Sequence, residues 1–119
     1  MSRIFVYCFI FMFASFANAQ DRIEKFVSKA KNQATKNLLD PSSAQFRNLE
    51  VREKIGDKGK KHLHLCGEVN AKNRMGGYVG FKNFSAGVDS ATILEEDEPL
   101  MMFHQFLCGS DTKLIRKVQ

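Results

Sequence analysis

Leu65-Cys66-Gly67-Glu68-Val69-Asn70-Ala71-Lys72-Asn73-Arg74-Met75-Gly76-Gly77-Tyr78-Val79-Gly80-Phe81 is the stretch whose reading decides the fold of this chain. Two strand-like runs flank a polar, glycine-rich connection, and that order reads as a β-hairpin. The first strand is expected from His62 to Ala71 and its partner from Tyr78 to Phe84. Successive side chains of a strand point to opposite faces. Leu63, Leu65, Gly67 and Val69 therefore share one face, and His62, His64, Cys66, Glu68 and Asn70 share the other. The first set belongs to a core. Gly76, Gly77 and Gly80 read as backbone geometry, because neither Gly-x-Gly-x-x-Gly nor Gly-x-x-x-x-Gly-Lys-Ser/Thr is present.

Upstream of the hairpin, Leu49 and Val51 alternate with Glu50 and Arg52, which predicts a half-buried strand running toward Ile55. The polar run from Gly56 to Lys61 turns the chain back. Before it, Asp40-Pro41-Ser42-Ser43-Ala44-Gln45-Phe46 reads as a helix stop and a short new turn, with Asp40 able to cap, Pro41 at a first helical position and Phe46 anchored in the core. From Asp21 to Leu39 the residues Ile23, Phe26, Val27, Ala30, Ala34 and Leu38 recur every three or four positions. Lys25, Lys29, Lys31, Asn32 and Lys36 fill the other side. This is an amphipathic helix whose narrow, alanine-rich face suits close packing on a sheet.

Downstream, Ala91-Thr92-Ile93-Leu94 predicts one more short strand. Glu95-Glu96-Asp97-Glu98 is an acidic block without the spacing of a calcium loop, and it is expected as a solvated loop. Leu100-Met101-Met102-Phe103-His104-Gln105-Phe106-Leu107 is strongly apolar and leads into Cys108. Over so short a run periodicity does not separate a strand from a helical turn. Asp111 to Gln119 is expected to be a frayed tail.

The N-terminus carries Arg3, then an uncharged run from Ile4 to Phe16, then Ala17-Asn18-Ala19. This is the order of a secretory signal peptide, cleaved after Ala19. A membrane span requires about 20 apolar residues, and this run is broken by Ser15 and Asn18, so no stable membrane insertion is expected after cleavage. Residues 20–119 then form a single small domain. Its 13 Asp and Glu face all the Lys and Arg except Arg3, a mildly basic balance without the dense stripe of a nucleic-acid binder. Cys8 departs with the signal. Cys66 and Cys108 remain, in a chain bound for an oxidising compartment, and a disulfide between them is expected. No second cysteine lies close enough to either to form a thioredoxin-like pair.

The fold class these readings predict is α+β, with the N-terminal amphipathic helix packed on a small antiparallel sheet of three to five strands and one disulfide. Asp40-Pro41-Ser42-Ser43-Ala44-Gln45-Phe46-Arg47-Asn48, Cys66-Gly67-Glu68-Val69-Asn70-Ala71-Lys72-Asn73 and Gly76-Gly77-Tyr78-Val79-Gly80-Phe81, in this order, resemble segments shared by a group of small exported bacterial and prophage-associated proteins and lipoproteins of unknown function. The resemblance covers roughly residues 38–84. It implies a bacterial exported domain, periplasmic or secreted, and brings no catalytic residues with it.

Two functions are compatible with these motifs. One is a non-catalytic binding, accessory or inhibitor-like module that needs no cofactor and meets an envelope protein or cell-wall component. Its recognition surface is expected at Asn70, Lys72, Asn73, Arg74 and Tyr78, polar groups and one aromatic held by two strands. The alternative is a small metal-dependent or hydrolytic enzyme using His62, His64, Glu68 and His104. Neither a Ser-His-Asp pattern nor His-Glu-x-x-His supports it.

Overall fold

A computed structural model of the chain describes residues 2–94 and 98–118, with side chains for 18–94 and 101–118. The acidic segment 95–97 lies outside the described residues. Helix α1 (Ser2–Thr35) is followed by a single helical turn at Pro41–Ser43, strand β1 (Gln45–Ile55), a second turn at Asp57–Gly59, and strands β2 (Lys61–Asn70), β3 (Lys82–Ala86) and β4 (Ala91–Ile93). Helix α2 (Glu98–Cys108) and strand β5 (Lys113–Val118) complete the chain. The strands form one antiparallel sheet in the order β4-β3-β2-β1-β5. The predicted α+β fold is thus the observed one.

The predicted apolar stripe of α1 is its buried face. Phe26, Val27, Ala30 and Ala34 pack on Leu49, Val51, Leu65, Val69, Phe84 and Ala86 of the sheet. Ala30 and Ala34 have no bulk to hold the helix away, so Val51, Leu65 and Phe84 become fully buried beneath it. Each such side chain contributes roughly 1.5–3 kcal/mol of hydrophobic stabilisation. Phe46 meets Phe84 edge to face, 5.6 Å between ring centroids, as an anchor at the end of the core. The helix ends at Thr35, short of the expected Leu39. Thr35 Oγ donates to the Lys31 carbonyl at 3.1 Å, and Leu38 reaches the core from the turn that follows.

Strand β2 alternates as its sequence demands. Leu65 and Val69 face α1, and Cys66 faces the other way to join Cys108 at the end of α2, with 6.0 Å between the Cα atoms. The apolar run 100–107 is therefore helix, and it lies across the face of the sheet opposite α1. Lys54 Nζ donates to the Phe106 carbonyl at 2.8 Å. Arg52 donates to the carbonyls of Gly109 and Thr112, each at 3.4 Å, and so holds the turn into β5. Met101, Met102, Phe103 and Phe106 remain exposed on this helix.

Three expectations are corrected. The partner strand of the hairpin begins at Lys82, not Tyr78; only a bridge between Lys72 and Tyr78 continues the pairing into the connection. The cause is local, since Gly80 takes φ +102° and its N–H is captured by the Asn70 side chain, a backbone state that strands do not use. Residues 113–118 are not a frayed tail but β5, paired with Leu49 to Glu53 of β1. The long strand β1 would otherwise present a row of unpaired backbone groups, and β5 satisfies them. Strand β1 itself starts at Gln45, ahead of the predicted Leu49, with a bulge between Arg47 and Glu50 where Asn48 adopts φ +53°. Gly67 lies across from the bulge. A Cβ there would approach Leu49 Cδ2 to 2.7 Å and the Arg47 and Asn48 carbonyl oxygens to 3.1 Å.

Candidate functional site

The three sequence segments 40–48, 66–73 and 76–81 meet at one corner of the sheet. Their junction is Ser43. Its Oγ donates to the Asp40 carbonyl at 2.8 Å and accepts the Lys72 backbone N–H at 2.9 Å, and its carbonyl accepts the Tyr78 hydroxyl at 3.1 Å. Pro41 occupies the first position of this turn as predicted. The Asp40 carboxylate, however, does not cap the backbone; it accepts from Ser42 Oγ at 2.8 Å.

The connection itself is folded around its two asparagines. Asn73 Oδ1 accepts the N–H groups of Met75 (2.9 Å) and Gly77 (3.1 Å), while the Asn73 N–H donates to the Gly77 carbonyl at 2.8 Å. Asparagine side chains commonly stabilise turns in this way. Asn70 is buried and its Oδ1 accepts the Gly80 N–H at 3.0 Å. Both side-chain oxygens are thus spent on the backbone of the loop. Of the five residues expected to recognise a partner, Asn70 and Asn73 shape the surface, and Lys72, Arg74 and Tyr78 remain to present groups. The Lys72 ammonium stands 5.5 Å from the Tyr78 ring centroid. Met75, 94 % exposed, is added to them at the tip.

Below the tip, Arg47 makes a two-pronged contact with Glu68, Nε to Oε2 at 2.9 Å and Nη2 to Oε1 at 3.1 Å. The Asn48 amide adds a third bond to Glu68 at 2.7 Å, and the Arg47 guanidinium lies 3.8 Å from the Phe81 ring centroid. These donors favour the ionised form, so Glu68 titrates below the usual carboxylate range and Arg47 is held charged. Ser43, Arg47, Asn48 and Phe81 were not among the predicted site residues. Each lies in one of the three quoted segments, but their mutual contacts depend on bringing segments together across the sheet.

Among the described residues His62, His64, Glu68 and His104 do not come together as a metal-ligating group. Glu68 is engaged by Arg47 and Asn48, and among the described residues no three His, Cys, Asp or Glu side chains stand where they could hold a metal ion. His62 is exposed and His64 half-buried on the α2 side of β2, opposite Lys54 and Arg52 of β1. Burial, and then the charges of His62 and Lys54, hold His64 below the ordinary histidine value; burial alone does so for His104. His104 Nδ1 is enclosed and makes no hydrogen bond with the described residues. Among the described residues no helix is long and apolar enough to cross a membrane. No family model, no curated protein and no solved structure matches this chain.

Proposed function

We propose that this chain is an exported, non-catalytic binding module of the bacterial envelope, periplasmic or secreted, which recognises a protein or cell-wall component through the tip of its 71–81 loop. The observation that carries this reading is the way the tip is held. Ser43, Asn70 and Asn73 together fix the backbone of the loop from both sides, while Arg74, Met75 and Tyr78 stay exposed. A surface ordered before contact loses little conformational entropy on binding. Export is supported by the signal-like order of residues 1–19 and by the Cys66–Cys108 disulfide.

The test is capture of envelope components by the immobilised chain beginning at Gln20, compared with a variant carrying Arg74→Ala and Met75→Ala. Tyr78→Ala is less informative alone, because its hydroxyl also ties the loop to Ser43. Loss of a specific captured component in the double variant, with an unchanged melting temperature, supports the reading. Undiminished capture removes the tip from consideration.

A further inference from the structure

We infer that the outer edge of β5, with the groove beside it, takes up an extended acidic segment of a partner protein as an added strand. Strand β5 ends the sheet, and among the described residues nothing pairs with its outer side. Alternate residues of such a strand turn their N–H and C=O groups outward, which is the template that β-strand addition uses. The opposite edge, β4, offers only three residues.

The edge is accompanied by a pocket for side chains. Between α1 and β5 runs a groove of about 290 Å³ with Ile23, Val27 and Val118 as its apolar lining and Ser28 on the helix wall. Ile23, Val27 and Lys31 lie one helical turn apart, so the groove follows the helix beside the strand. A strand added to β5 directs every second side chain toward this groove.

Charge selects the occupant. Lys31 and Arg116 line the groove against one carboxylate, Glu24, which reaches Arg116 only at 3.9 Å with both side chains well exposed. On the strand, Lys113 and Lys117 stand opposite Glu53 and Glu50, but those carboxylates already meet Lys61 at 3.9 Å and Arg52 at 2.9 Å. The edge is therefore cationic. A second copy of β5 would set lysines and arginine against one another, and like charges on neighbouring strands are destabilising. An acidic segment with alternating apolar residues satisfies the backbone, fills the groove with its apolar face and turns its carboxylates toward Lys117 on the other face of the edge, within the cationic field of the strand. This site lies two strands away from the β2–β3 loop, so it stands or falls separately from the proposal above.

The experiment uses the chain from Gln20 with a fluorescein-labelled decapeptide of alternating Val and Glu, read by polarisation and by amide hydrogen exchange. Expected are saturable binding, slowed exchange at alternate amides of β5, and binding at least about tenfold weaker when Lys replaces Glu in the peptide. N-methylation of alternate peptide amides should abolish binding, since main-chain hydrogen bonds supply the affinity of strand addition. Ser28→Trp, at an exposed position, should block the groove, and Lys117→Gln, on the face that receives the carboxylates, should weaken binding without lowering the melting temperature. Several results overturn the inference: no binding of the Val/Glu peptide, equal binding of the N-methylated form, protection confined to residues 71–81, or sedimentation as a dimer whose β5 amides are protected without peptide.

Discussion

Replacing Gly67 with alanine sets one methyl group against Leu49 and the backbone of the β1 bulge. The added Cβ would lie 2.7 Å from Leu49 Cδ2 and 3.1 Å from two carbonyl oxygens of the β1 bulge. Leu49 is 3 % exposed within the core, and the two carbonyls are backbone atoms of the bulge, held by the pairing of Arg47 with Glu68 and by the bond from the Asn48 amide to Glu68. Overpacking of this kind costs about 1–3 kcal/mol. Against it, alanine lowers the entropy of the unfolded chain, which returns about 0.4–1 kcal/mol. The net expectation is a loss of roughly 1–2 kcal/mol, which for a domain of this size lowers the melting temperature by about 4–15 °C. Urea unfolding measures it, with an unchanged slope showing that the folded state has kept its extent. Leu49→Ala alone should cost about 2–5 kcal/mol. In the double variant the two costs should fall short of their sum by about 0.5–3 kcal/mol, because the second change removes the atom that the first one strikes. A neutral or stabilising Gly67→Ala, or strict additivity, would refute the argument that Leu49 fills the space a side chain at Gly67 needs.

Other outcomes follow from the same geometry. Gly76, at φ +80°, should lose about 1 kcal/mol on change to alanine, whereas Gly77→Ala should be tolerated, since Gly77 is not in the left-handed region and its nearest neighbour is 3.8 Å away; thermal melts of the two variants separate these cases. Reduction of Cys66–Cys108, or its replacement by alanines, opens a loop of 42 residues and should lower stability by about 4 kcal/mol in denaturant titration. Alkylation of the unreduced chain beginning at Gln20 should find no free thiol. Burial depresses the pKa of His64 and His104 in the folded chain, so their contribution to stability is complete above the unfolded histidine value of 6.5 and is lost as pH falls through the lower folded values. Melting temperature should accordingly fall as pH drops below 6.5, and His64→Gln with His104→Gln should flatten that slope. A slope unaltered in the double variant assigns the acid sensitivity to other groups.

What the sequence by itself determined is whatever a local period or a simple elimination could carry. The spacing of Phe26, Val27, Ala30 and Ala34 marks the face of α1 that covers the sheet. The alternation of β2 fixes which side of it belongs to the core and which bears Cys66, and with Cys8 inside the N-terminal apolar run only Cys108 remains to meet it. Tertiary structure decided the rest. In Lys113–Val118 the adjacent Leu114 and Ile115 break the alternation, and the segment becomes a strand because β1 has an open edge to be paired. The run 100–107 is too short for its period to separate helix from strand; its helix is placed by the disulfide and by donors from Lys54 and Arg52 on β1. The loop 71–81 shows the same division. Its asparagines and glycines announce a turn, but the hydroxyl and carbonyl of Ser43 that hold it in place come from 29 to 35 residues earlier in the chain, and only folding brings them there.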